Sequence, residues 1–280
     1  MINHRYSKQA EKILALQKED GSWGKFHSLS IGEVCTTEGA LRRLMILGYT
    51  VEDECLHRAA EYLVHCLEVG EIPDRREKTH NWDIFVEMML SSWLCRLQVQ
   101  SPKAERIAQK WAIILTGAFQ SGEYSADSYA SAYEAVFAEK PRGGRILDFV
   151  QPYILTLASG RLDERTESAV FDYVLQHKPG IYYICDGELL HPPQDFCSRE
   201  ASRYLGAMEL LAMYYPRQRK KLAFVRDWLH ENQAANGCWD MGCVVKDNVY
   251  FPLSDDWRRK GAREMDCTER VQNLLHMLED

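Results

Sequence analysis

Apolar positions recur along this chain at helical spacing, in blocks divided by short polar breaks. In residues 5–17, Ala10, Ile13, Leu14 and Leu16 share one face, which predicts an amphipathic outer helix. Residues 36–48 predict a second helix, opened by a cap-like Thr and closed on Gly48. The charged, amphipathic residues 52–67 predict another outer helix. Residues 81–97 carry Trp82, Phe85, Val86, Met88, Met89, Leu90, Trp93 and Leu94, apolar nearly all round, and predict a buried inner one. Further helices are expected over 103–119, 127–137, 146–157, 164–176, 198–214 and 217–232, and residues 180–185 read as a short β stretch. Pro141-Arg-Gly-Gly is a break, and His191-Pro-Pro-Gln-Asp is a loop. With the last unit, residues 267–278, mirroring the helix of 36–48, the chain reads as roughly eleven or twelve helices, alternately outer and inner, with essentially no sheet.

Two of the breaks repeat each other. Gln17, Gly21 and Trp23 close the first helix, and Gln233, Gly237 and Trp239 close a late one at the same spacing. A Gly just past a helix tolerates positive φ, the indole folds back over the helix end, and the Gln amide bonds the loop backbone. Gln120-Ser-Gly-Glu-Tyr124 is a weakened copy. The helices that follow also match: Thr37-Glu38 aligns with Thr268-Glu269, and Leu44 and Leu47 with Leu275 and Leu278. This pattern resembles the QW repeat of the squalene cyclase and prenyltransferase superfamily. The resemblance spans the chain and implies an all-α fold: one α/α toroid of about six helical hairpins, residues 1–280 as a single domain, around a central apolar cavity. It also implies an isoprenoid-handling enzyme, a terpene cyclase or prenyltransferase acting on a polyprenyl substrate, possibly a diphosphate.

Composition narrows this only a little. The chain has 280 residues, 46% hydrophobic and 27% charged, ordinary for a soluble globular protein, and its net charge of -7 argues against nucleic acid as the main partner. Nine cysteines, with no paired spacing and no CxxC, fit a reducing cytosol. No apolar run approaches a membrane span and the N-terminus has no apolar signal core, so a cytoplasmic protein is expected.

Candidate chemistry follows from the resemblance and from spacing. Asp266-Cys-Thr-Glu269 resembles, one residue short, the cyclase segment whose Asp protonates the substrate, which makes Asp266 the candidate proton donor. The same residues also read as a capping box, with Asp266 accepting from the Glu269 amide. Arg199 and Arg203, with Arg263 and the Arg258-Arg-Lys260 run, are a candidate diphosphate clamp, since guanidinium pairs bidentately with phosphate oxygens. Trp82, Phe85, Tyr129, Tyr133, Phe196, Tyr204 and Trp257 are candidate pocket walls, able to stabilise carbocations or simply to fill the core. The aspartate-rich motifs of metal-dependent terpene synthases do not occur. Asp83 and Glu87, one helical turn apart with His80 nearby, are the one candidate for Mg²⁺, and equally an ion-paired face. Asp53-Glu-Cys55 with His57 has the local spacing of a prenyltransferase zinc site, but its place at the start of an outer helix argues against zinc. Cys185, Asp186, His191 and Cys197 match no standard zinc spacing. Two other classes remain open: a non-catalytic binding protein on the same scaffold, and a carbohydrate-active toroid using Asp83, Glu87 or Asp255-Asp256.

Overall fold

The computed structural model describes residues 4–29 and 35–279. Among these lie eleven α-helices, four short 3₁₀ turns and a single two-stranded hairpin, so the chain is all-α as its periodicity predicts. No helix of the described residues is long and apolar enough to cross a membrane. The chain forms two compact units: one of Met1–Lys12, Arg42–Gly48 and Val174–Asp280, the other of Ile13–Leu41 and Tyr49–Tyr173.

The second of these units is built around α4 (Trp82–Arg96), packed against α3 (Glu54–Val69), α5 (Pro102–Ala118) and α7 (Pro152–Ala158). Neighbours on three sides explain why α4 is apolar all round: from Ile84 to Leu94 only Glu87 is not buried. Ser101 caps α5, its hydroxyl accepting from Ala104 N at 3.2 Å with Pro102 in the first turn, and Ser125 caps α6 (Ala126–Phe137) in the same way. A Cβ on Gly117 of α5 would lie 3.1 Å from Ala132 Cβ on α6, so small residues set how closely these helices approach. The expected helix over 146–157 is corrected: only Pro152–Ala158 is helical, because Pro152 forces Gln151 into an extended conformation (φ -145°, ψ 153°) and cannot be preceded by helix. α8 (Glu164–Gln176) has the expected bounds.

The other unit is organised on α9 (Arg199–Tyr214) and α11 (Lys260–Glu279), which pack together, with α10 (Ala223–Glu231) against α11. The β stretch of 180–185 is a hairpin: β1 (Gly180–Ile181) pairs antiparallel with β2 (Cys185–Asp186), Gly180 opposite Asp186. Arg270 of α11 is buried, with Nε and Nη2 donating to the Glu209 carboxylate of α9 at 2.6 and 3.0 Å and Nη1 to Ser202 Oγ at 2.8 Å. Its guanidinium carbon sits 4.2 Å from the Tyr250 ring centroid, and Tyr250 reaches that place over Gly206, where any Cβ would strike its hydroxyl.

The two helix stops, one in each unit, have the same internal hydrogen bonds. Gln17 Nε2 donates to Gly21 O at 2.9 Å and Gln233 Nε2 to Gly237 O at 2.8 Å. The indoles of Trp23 and Trp239 donate to Ile13 O and Leu229 O, each at 2.7 Å. Gly21 and Gly237 have φ of 87° and 80°, the left-handed region that the turn requires. The backbone N–H groups of Trp23 and Trp239 donate to Thr37 Oγ1 and Thr268 Oγ1, both at 3.0 Å, so the alignment of the two Thr-Glu pairs is physical.

Candidate acid–base site

The second Thr-Glu residue is where the two repeats diverge. Glu38 lies in the first turn of α2 (Thr37–Ile46), where the helix dipole favours a negative charge. Its side chain is 8% exposed, and donors converge on it from distant segments. Oε1 accepts from Tyr153 Oη of α7 at 2.6 Å and from Trp93 Nε1 of α4 at 3.2 Å. An indole nitrogen only donates, so Oε1 is an acceptor for Trp93. Oε2 lies 3.1 Å from Nδ1 of His27, itself 13% exposed. The Glu38 hydrogen bond holds the His27 pKa above its usual value against the opposing effect of burial, and the charges of Asp74 and Glu77 act in the same direction.

His27 is positioned by its own loop. The Asp74 carboxylate accepts from the N–H groups of Phe26 (2.6 Å), His27 (2.9 Å) and Ser28 (2.8 Å), so a buried anion fixes the backbone on both sides of the imidazole. Phe85 then meets four rings: His27 edge-on at 5.7 Å, His80 edge-on at 4.7 Å, Trp82 at 5.8 Å and Tyr153 edge-on at 6.3 Å. The result is a carboxylate–imidazole pair with aromatic walls, within a single unit. Such a pair favours the protonated form of His27.

Trp82 and Phe85, expected as pocket walls, are brought together here. The other expected walls have structural partners. Tyr129 Oη donates to Leu147 O at 2.7 Å, Tyr133 packs 4.9 Å from Phe137, Tyr204 Oη donates to Leu189 O at 3.0 Å, Phe196 packs on Trp228, and Trp257 lies 5.1 Å from Phe251.

Asp266 corrects the capping-box reading. Helix α11 begins at Lys260, so Asp266 lies inside the helix and not at its cap. Its Oδ2 accepts instead from Leu253 N (2.8 Å), Ser254 N (2.9 Å) and Ser254 Oγ (3.0 Å), which ties down the loop before the helix. Asp247 gathers the N–H groups of Val249, Tyr250 and Phe251, and Arg43 donates to the carbonyls of Val249, Tyr250 and Pro252, so the loop is held by three charged residues.

The arginines expected as a clamp have separate partners in the fold. Arg199 Nε donates to Val244 O, Arg203 meets the exposed Asp186 at 3.3 Å, and Arg263 forks onto Asp240 at 2.6 and 2.7 Å, while Arg258 is exposed. Asp83 pairs with Arg76 at 2.6 Å and Glu87 with Lys103 at 3.1 Å, so the Mg²⁺ candidates turn to separate cations. Asp53 accepts from Thr50 N at 2.8 Å, and exposed His57 lies 3.8 Å from Glu61. Cys185 and Cys197 donate to the carbonyls of Asp186 and Asp240. Among the described residues no cluster of three or more His, Cys, Asp or Glu has metal-holding geometry. Asp255 caps α1 (Lys8–Leu14) by accepting from Lys8 N at 3.1 Å, and Asp256 meets Arg259 at 3.6 Å.

Sequence reasoning did not single out Glu38, His27 or Tyr153, and named His80 only as a neighbour of the Mg²⁺ candidates. The repeated Thr-Glu was the available signal for Glu38. Its counterpart Glu269 also holds a histidine, His4 at 2.9 Å. Compared with family models, curated proteins and solved structures, the chain finds no match.

Proposed function

We propose that this protein is an isoprenoid-handling enzyme on an α/α toroid of the squalene cyclase and prenyltransferase kind, and that it starts its reaction by protonating a polyprenyl substrate. The toroid reading is supported by the two helix stops with matching hydrogen bonds and by the run of helices with little sheet. The observation that carries the chemistry is the convergence of His27, Tyr153 and Trp93 on the buried Glu38 beside Phe85.

In this reading His27 replaces Asp266 as proton donor. The Glu38 carboxylate keeps the imidazolium charged and oriented, Asp74 fixes its loop, and Tyr153 and Trp93 hold Glu38 so that the pair does not reorganise as the proton leaves. Protonation of an alkene leaves a carbocation, which the π-faces of Phe85 and Trp82 stabilise where water would otherwise quench it.

The test is a thermal-shift panel of farnesyl diphosphate, geranylgeranyl diphosphate, squalene and oligosaccharides, followed by product analysis. An isoprenoid at a hundredfold its dissociation constant adds about 2.7 kcal/mol to stability. A rise with an isoprenoid, and conversion lost in His27→Gln, is the expected result. A rise with oligosaccharides alone, or no response to any isoprenoid, would overturn it.

A further inference from the structure

A cleft of about 860 Å³ opens to solvent between α3 and the first helix stop, in the unit that holds the acid–base site but lined by none of that site's residues. Its floor is one face of α3, where Tyr62, Cys66 and Val69 follow one another at helical spacing. Gly70 ends the helix with φ 80°, and Ile72 and Pro73 continue the apolar surface past that end. The other wall is the loop from Lys18 to Lys25. Protein contacts alone hold both walls. Arg58 Nη2 of α3 donates to Lys18 O and Glu19 O, each at 2.8 Å, and Asp74, next to Pro73, accepts from the N–H groups of Phe26 and His27, just beyond Lys25. The cleft is therefore preformed, and its volume falls in the range of roughly 300–1,000 Å³ typical of small-molecule sites.

The charges around the cleft narrow the choice of ligand. Its lining has two lysines, Lys18 and Lys25, and three carboxylates, Asp20, Glu61 and Glu71, a balance that disfavours a diphosphate or other polyanion. Two of the carboxylates are engaged: Asp20 Oδ1 accepts from Ser22 N at 2.9 Å, and Glu61 lies 3.8 Å from His57. Lys18, Lys25 and Glu71 make no ion pair among the described residues. Unpaired charges of both signs beside an apolar floor complement a molecule that has both signs itself and one apolar group. We propose that this cleft binds an apolar α-amino acid. The lysines of the loop wall take its carboxylate, Glu71 beyond α3 takes its ammonium, and its side chain covers Tyr62, Ile72 and Val69, which is otherwise 57% exposed. The site stands independently of the isoprenoid reading, since the two share no residue.

Histidine ring spectra of the full chain supply the readout, because His65 lines the cleft and its signals are assigned by their loss in His65→Gln. Phenylalanine, leucine, isoleucine and methionine are titrated as probes, beside phenethylamine and 3-phenylpropionate, which each keep the phenyl ring and one of the two charges. A saturable shift of the His65 signals with an amino acid is expected, with affinity at least about tenfold weaker for the amine and for the acid. Lys25→Gln and Glu71→Gln, which remove charge and keep size, are each expected to weaken amino-acid binding about tenfold with an unchanged melting temperature. No saturable shift with any of the four amino acids at roughly 10 mM, enough to fill a millimolar site, would overturn the proposal. Equal binding of the amine or the acid would overturn it too, because the cleft would then be reading the apolar group alone. So would unchanged affinity in both variants.

Discussion

At the scale of single residues, Glu38 and Asp266 are both buried carboxylates whose partners give them different roles. Glu38 faces side-chain donors and an imidazole, whereas Asp266 faces the backbone of one loop. Because the folded His27 pKa is raised, its pairing with Glu38 stabilises the fold fully below the unfolded value of about 6.5 and loses that contribution as pH rises through the folded pKa. NMR titration is therefore expected to give a His27 midpoint above 6.5, and Glu38→Gln to lower it, since the largest cause of the shift is removed. The stability difference between wild type and Glu38→Gln is expected to shrink from pH 6 to pH 9; a constant difference would contradict the pairing. Asp266→Ala leaves Leu253 N and Ser254 N without their acceptor and is expected to cost about 2–3 kcal/mol, read as a melting point lower by roughly 5 °C or more. Loss of turnover with unchanged melting would return the acid role to Asp266. The sequence pointed to Asp266 because a motif surrounds it. It did not point to Tyr153, because nothing local marks a residue whose partner is 115 positions away in the chain, nor to His27, which lies 11 positions from Glu38 but is fixed by Asp74, 47 positions away.

At the scale of elements, the two helix stops separate what a motif requires from what its surroundings require. Gly21 and Gly237 have nearly the same positive φ, so Ala at either strains the backbone by about 1–2 kcal/mol. Their neighbours differ. A Cβ at Gly21 would lie within 2.7 Å of the Arg58 carbonyl carbon on α3, whereas at Gly237 the nearest atom is the flexible Gln233 Nε2 at 4.0 Å. Gly21→Ala is expected to lose roughly 3 kcal/mol or more, with α3 pushed away, and Gly237→Ala only the backbone strain. Denaturant melts of the two variants check this, and equal losses would mean that the α3 contact carries no weight. Both stops were legible in sequence because each is made of residues close together in the chain. Helix starts were less legible. The charged run from Lys260 to Glu264 reads as loop, yet it is the solvated first turns of α11, with Lys260 and Glu264 paired at 3.6 Å. The apolar run from Ile146 reads as helix, yet Pro152 delays the start.

At the scale of the whole molecule, the residues of the acid–base site all belong to one of the two compact units. Glu38, Tyr153, Trp93, Phe85, His27 and His80 come from the Thr37 helix, α7, α4 and the loops before α2 and α4, all packed around the buried α4. The matching Glu269–His4 pair lies in the other unit, where Glu269 meets His4 at 2.9 Å on the helix that also carries Arg270 and Asp266. Repetition therefore supplied the Thr-Glu pair twice, whereas the histidines come from unrelated places, 11 residues before Glu38 and 265 before Glu269, and aromatic rings surround the Glu38 copy. This division predicts where a ligand acts. With squalene or geranylgeranyl diphosphate at saturation, hydrogen–deuterium exchange is expected to slow in peptides covering residues 24–29, 80–93 and 152–158, since binding adds its free energy to the local opening of the segments it contacts. Peptides covering 247–254 and 263–271, held by Asp247, Asp266, Arg43 and Arg270, are expected to exchange at the same rate with and without ligand. Protection at 247–271 with none at 24–29 would place the chemistry with Asp266. Protection at 24–29 that disappears in Glu38→Gln would tie binding to the carboxylate itself, because that variant keeps the size of the side chain and removes only its charge.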